Sequence, residues 1–155
     1  WRGLFDCLRP VDGAEGAWTP VAEIRPNQLF AVSLQGTPLA EEHMGCVLAV
    51  CKEHLLTPHG MRTLSPEDPN YKGRFKGGMM ERDAAYHNGT VWPWLLGPYC
   101  EGLLRVGHFS EEARAEACRA VAALLEDMSS GCLGQIAEVY DGDEPRAQEG
   151  CPAQA

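Results

Sequence analysis

Four carboxylic acids crowd into residues 138–144 as Glu138, Asp141, Asp143 and Glu144, and their neighbours differ. Ile136, Val139 and Tyr140 surround Glu138 with apolar side chains, a setting that strips water from a carboxylate and suits it to acid/base work. Asp141, Asp143 and Glu144 cluster around Gly142 in what reads as a solvated turn. The alternating Asp-Gly-Asp is similar to part of a calcium loop, but the EF-hand spacing and its closing Glu are absent, so no metal ligand set is assigned. A second segment, from Arg82-Asp83 to Trp92-Pro93-Trp94, holds Tyr86, His87, Trp92 and Trp94 within nine residues. Sugars offer weakly apolar C–H faces to rings and hydroxyls to His, Arg and Asp, so this segment suits a carbohydrate pocket. The same rings equally suit a packed core, with His87 a satisfied structural group. A third segment, Leu64 to Tyr71 followed by Arg74, Phe75 and Gly77, is on its own a turn-rich surface loop.

The elements that must position these groups read mostly as helices. Asn27 is placed to cap a short helix through Leu34, stopped by Gly36 and Pro38. Met44, Val47, Leu48, Cys51 and Leu55 recur at helical spacing within a helix predicted over 39–56. Thr90 caps a third helix over 91–106, which Gly97-Pro98 should kink. Ser110 caps a fourth, with Glu111 and Glu112 at its positive end and Ala117, Val121, Leu124, Leu125 and Met128 as its stripe. Residues 1–20 read as loop, and residues 57–90 as a long polar loop of the kind that carries function. The tail from Ile136 reads as loop with at most a short extended stretch. Four such helices cannot close a barrel, so apolar surface is expected to await other segments.

Bulk properties exclude several classes. With 45% apolar and 23% charged residues, the chain of 155 has a globular composition. A net charge of -9 argues against a nucleic-acid partner, which would need clustered Lys and Arg. No apolar run of about 18 residues marks a membrane span. The odd count of seven Cys, at irregular spacing and without a Cys-x-x-Cys pair, points to free thiols and a cytoplasmic setting. The chain opens at Trp1 and closes at Gln154-Ala155 without a helix end, as expected of a piece of a longer protein.

Several motifs together resemble the amylo-α-1,6-glucosidase, or glycogen debranching enzyme, family. They are Arg25-Pro26-Asn27-Gln28, Arg62-Thr63-Leu64-Ser65-Pro66-Glu67-Asp68-Pro69, and Arg82-Asp83 through Tyr86-His87. They continue with Gly89-Thr90-Val91-Trp92-Pro93-Trp94-Leu95-Leu96-Gly97-Pro98-Tyr99, Glu138 with Asp141-Gly142-Asp143, and Gly150-Cys151 with Ala153-Gln154-Ala155. The resemblance implies an all-α fold, an (α/α)6 barrel represented here by four to five helices. Residues 1–20 would be a lead-in and 21–155 the C-terminal part of the catalytic domain. It implies an α-glucan such as glycogen or limit dextrin as partner, no cofactor, and hydrolysis of an α-1,6-linked glucose with inversion. Inverting pairs of carboxyl groups stand roughly 6.5–9.5 Å apart, leaving room for the attacking water.

On that resemblance Glu138 is the general base and Asp141 the reserve candidate, with the general acid outside this chain. Arg82, Asp83, His87, Thr90, Trp92 and Trp94 would hold the glucose, with Arg25 and Gln28 in reach. Two departures stand out. The family's Trp-containing final helix is missing here, and Arg-Ala-Gln-Glu lies between Pro145 and Gly150 where the family more often has a Pro-Arg run. A related glucoamylase or trehalase, and a non-catalytic carbohydrate-binding helical module, remain the alternatives.

Overall fold

The computed structural model describes residues 3–131 and 134–152. Cys132 and the Ala153-Gln154-Ala155 segment singled out in the sequence therefore lie outside the described residues.

Two helices form where periodicity predicts them. In α2 (Glu41–His54), Val47, Leu48 and Cys51 are buried, while Glu41 and Glu42 open the helix and Lys52 and His54 close it, matching its dipole. In α5 (Glu111–Asp127), the Ser110 hydroxyl accepts the Ala113 N–H at 3.2 Å. Ala117 and Leu124 of α5 are buried, but Leu125 is exposed. Neighbouring helical positions diverge by about 100°, so turning Leu124 inward carries Leu125 out.

The expected first and third helices take other forms. Pro26–Leu29 is a 3-10 turn running into a one-turn helix, α1 (Phe30–Ser33). Pro26 starts that turn, whereas Asn27 donates to Asp6 Oδ1 at 2.9 Å instead of capping. Thr90 caps nothing. Val91–Trp92 is a strand, Pro93–Leu95 a 3-10 turn, and the helix α4 begins only at Leu96 and runs to Val106. Pro98 thus falls in the first turn of α4, where a missing N–H costs no intrahelical bond, and it does not interrupt the helix.

The all-α expectation is overturned, and with it the partial (α/α)6 barrel as a description of this chain: the described residues form a mixed α/β structure with two antiparallel sheets. Residues 1–20, expected to be loop, contain a hairpin of β1 (Cys7–Pro10) and β2 (Trp18–Val21), with Cys7 opposite Val21. Both strands are edges, so Pro10 and Pro20 are tolerated. The second sheet runs β3 (Leu56–Thr57), β4 (Gly60–Arg62), β5 (Val91–Trp92), β6 (Val139–Tyr140), β7 (Gln148–Glu149) in that order. A further helix, α3 (Met79–Tyr86), lies in the expected long loop. Strands of two or three residues are too short to show an alternating pattern, which needs about four. They form because buried loop backbone must find hydrogen-bond partners, and here the loops find one another.

The sheet and helices share one core. Val47, Leu48 and Cys51 of α2 and Leu96 and Tyr99 of α4 join Met61 of β4, Val91 of β5 and Tyr140 of β6. Among the described residues no helix is long and apolar enough to cross a membrane. The six described cysteines are free thiols, and burial pushes that of Cys51 up to about 12.

Candidate functional site

A single strand pairing assembles the site. Val91 of β5 lies opposite Tyr140 of β6, bringing the ring-rich segment beside the acidic one across about a third of the chain. Trp92 is meanwhile paired with Met61 of β4, and Glu149 of β7 with Val139, so both segments are flanked by backbone.

Glu138 immediately precedes β6 and is 9% exposed. Each of its carboxylate oxygens has a donor. Oε1 accepts a hydrogen bond from the Tyr86 hydroxyl, and Oε2 accepts the Cys151 N–H at 2.8 Å. The Glu138 N–H donates in turn to the Cys151 carbonyl at 2.9 Å. Gly150 makes this approach feasible: its φ of 73° suits glycine, and a Cβ there would sit 2.6 Å from Glu138 Oε2. Hydrogen bonding to Glu138, followed by burial, pushes the Tyr86 phenol up to about 12, so it stays a donor.

Asp141 has a different environment. It is fully buried, its Oδ2 lies 3.1 Å from Arg74 Nη1 and 3.5 Å from Lys76 Nζ, and its Oδ1 accepts the Phe75 N–H at 2.8 Å. It holds the loop over 74–76. Asp143 accepts the Tyr71 hydroxyl at 2.9 Å, and Arg62 Nε donates to the Gly142 carbonyl at 3.2 Å. Neighbouring loops thus tie the Asp-Gly-Asp turn down: Asp141 and Gly142 are buried, against the solvated turn expected from the sequence, whereas Asp143 and Glu144 are exposed, in keeping with it.

The rings form a wall next to Glu138. Tyr86 lies 4.7 Å from Trp92 and 4.8 Å from His87, both edge-on, and 5.5 Å from Phe75. His87 and Trp92 stack nearly parallel at 5.7 Å, and the Trp92 indole donates to the Tyr86 carbonyl at 3.0 Å. His87, Trp92 and Trp94 line one side of a depression of about 200 Å³, closed by Pro26, Asn27, Phe30, Thr63 and Leu95. That is below the ~300–1,000 Å³ of most ligand pockets, so it accommodates part of a site. Glu138 does not line this depression; Tyr86 stands between them. A larger hollow of about 620 Å³, lined by Glu41, Met44, Glu101, Arg105 and Phe109 among others, contains none of the candidate residues.

The remaining candidates divide into builders and free groups. Arg25 clamps the turn after α3, donating to the His87 carbonyl at 2.6 Å, the Thr63 carbonyl at 3.2 Å and Asn88 Oδ1 at 2.9 Å. Gln28 accepts the Leu4 N–H at 3.1 Å and donates to the Arg25 carbonyl at 3.0 Å. Thr90 is fully buried and donates to the Ala85 carbonyl at 2.9 Å. Gly89, at a φ of 144°, lets this turn press against the Lys72 carbonyl, which any Cβ would strike. Arg82 and Asp83 lie exposed on α3, without a side-chain partner among the described residues. Trp94 is 51% exposed, its ring 6.0 Å from that of Phe30. The sequence places Tyr86 among the rings and Arg74 and Phe75 in the third segment but gives none of them a role, and it does not mark the Cys151 N–H as a donor.

Comparison with known proteins matches the family model described as amylo-alpha-1,6-glucosidase over residues 11–155. The glycogen debranching enzyme of Saccharomyces cerevisiae (strain ATCC 204508 / S288c) is 31% identical over 122 residues, covering 75% of this chain. The aligned part spans 7% of the yeast protein's length.

Proposed function

We propose that this chain, which belongs to the amylo-α-1,6-glucosidase family, supplies the general base of a glycogen-debranching glycoside hydrolase. In this reading Glu138 takes a proton from the water that attacks the anomeric carbon of an α-1,6-linked glucose. A second carboxyl group from elsewhere in the complete enzyme protonates the departing oxygen, and the configuration inverts.

The observation that carries the reading is the setting of Glu138: one hydrogen-bond donor on each oxygen and the Tyr86–His87–Trp92 wall alongside. An ionised carboxylate has about four lone-pair sites, so two donors leave capacity for a water. Neither donor carries charge, and the base is not neutralised by its own supports. Asp141 is less suited, because a fully buried group bound to Arg74 and Lys76 offers no path to water. His87, Trp92 and Trp94 present ring faces on which a glucose can stack, while the exposed Arg82 and Asp83 can serve its hydroxyls.

The test is glucose release from a branched limit dextrin. The complete enzyme should release glucose first seen by NMR as the β-anomer, and the isolated chain should release none. Release of the α-anomer by the enzyme, or turnover by this chain alone, overturns the reading.

A further inference from the structure

We propose that Tyr86 is the positioning residue of the base, its hydroxyl fixing the plane of the Glu138 carboxylate and tying that plane to the ring wall; this rests on Glu138 being the base. Two donors from separate parts of the chain, the last residue of α3 and the backbone at Cys151, hold the two oxygens. Rotating the carboxylate away from its present plane would break both bonds at once. The Cys151 N–H is backbone and cannot be removed by side-chain change, which leaves Tyr86 as the adjustable partner.

The phenol is itself held. Its ring sits among Phe75, His87 and Trp92, and its carbonyl accepts the Trp92 indole N–H. Phe75 is set by its amide, which donates to Asp141 Oδ1 at 2.8 Å. The acid at 141 therefore serves the acid at 138 through two intervening side chains. A sugar stacked on His87 and Trp92 and a water activated by Glu138 are both located by the same ring, so their relative placement is built in. Misplacement on the order of 1 Å costs roughly 100-fold in such reactions.

The experiment replaces Tyr86 by Phe in the complete enzyme, keeping the ring and deleting the hydroxyl. With branched limit dextrin, kcat should fall about 10- to 100-fold while KM stays within about 2-fold, because the lost contact touches the base and not the sugar. The acidic limb of the kcat–pH profile should move to higher pH, since a carboxylate that loses a donor holds its proton more tightly. In a Glu138→Gln background the same change should add almost nothing, because both act through one group. Wild-type kcat and an unchanged pH profile, or losses that multiply in the double variant, overturn the positioning role.

The two possible failures are distinguishable. Near-normal turnover by Glu138→Gln removes the base assignment and the positioning role together. An inactive Glu138→Gln beside an unaffected Tyr86→Phe removes the positioning role alone. Should Phe at 86 prevent folding, a fluorinated tyrosine there keeps ring and donor but makes the phenol more acidic. The acidic limb should then move to lower pH, and an unmoved limb overturns the proposal.

Discussion

Glu138 and Asp141 stand three residues apart on the same stretch of chain, yet they belong to two kinds of region. Around Glu138 the partners are neutral, a phenol and a backbone amide, with aromatic rings alongside. Around Asp141 they are cations, Arg74 and Lys76, together with the Phe75 amide. Both acids are well supplied with donors, so burial and hydrogen bonding alone do not separate them. The kind of donor does. Neutral donors orient a carboxylate and leave its charge available to a reaction, whereas cations spend that charge on holding a loop in place.

The largest effect expected from this contrast is at Glu138. Glu138→Gln in the complete enzyme should lower kcat about 100- to 10,000-fold with limit-dextrin binding retained, as steady-state kinetics and calorimetry would read. A comparable loss on changing Asp141 alone, with folding intact, would break the division. Asp141→Asn should act mainly on stability instead. It removes the charge facing Arg74 and Lys76 and weakens the hold on Phe75, at a cost of about 1–3 kcal/mol in denaturant unfolding. Water reaching the half-exposed Arg74 keeps the loss from being larger.

A smaller effect belongs to the ring wall. Trp94 is half exposed, so Trp94→Ala should leave the unfolding midpoint almost unchanged and raise KM several-fold, roughly 1 kcal/mol of sugar stacking. An unaltered KM would detach Trp94 from the sugar site.

The smallest effect is alkaline. The hydrogen bond to Glu138 raises the folded-state pKa of Tyr86 to about 12, from the ordinary phenol value of 10.0. The folded state therefore keeps a proton that the unfolded chain gives up. The associated stability is whole below pH 10.0 and is lost as pH rises through about 12. Tyr99 and Tyr71 are also raised, burial being the leading cause in each, so the wild type carries several such contributions in that window. Tyr86→Phe should flatten the fall of the thermal midpoint between pH 10.0 and about 12, and an unchanged slope would contradict the bond.

Helices with sustained periodicity were legible in the sequence. Val47, Leu48 and Cys51 mark α2 unaided, and Ser110 with Glu111 and Glu112 marks the start of α5. The five-stranded sheet was not legible, because pairs such as Val91 with Tyr140 join residues far apart along strands of two residues. No local pattern encodes that. Composition drew attention to the segments around Glu138 and His87, and the family resemblance named them, but neither could assign duties within them. A Gln that binds a sugar and a Gln that binds Leu4 look the same in sequence, and so do an Arg at a subsite and an Arg that clamps the turn at His87. The role of Tyr86 beside Glu138 is hidden for a similar reason, since the two lie 52 positions apart.

The central claim is that Glu138 activates water, and chemical rescue tests it most directly. Glu138→Ala in the complete enzyme should be nearly inert toward α-glucosyl fluoride, whose leaving group needs no acid. Added azide, a nucleophile that needs no deprotonation, should restore turnover and yield β-glucosyl azide. Persistent inactivity of a folded Glu138→Ala enzyme in azide, or formation of the α-azide, would contradict the account.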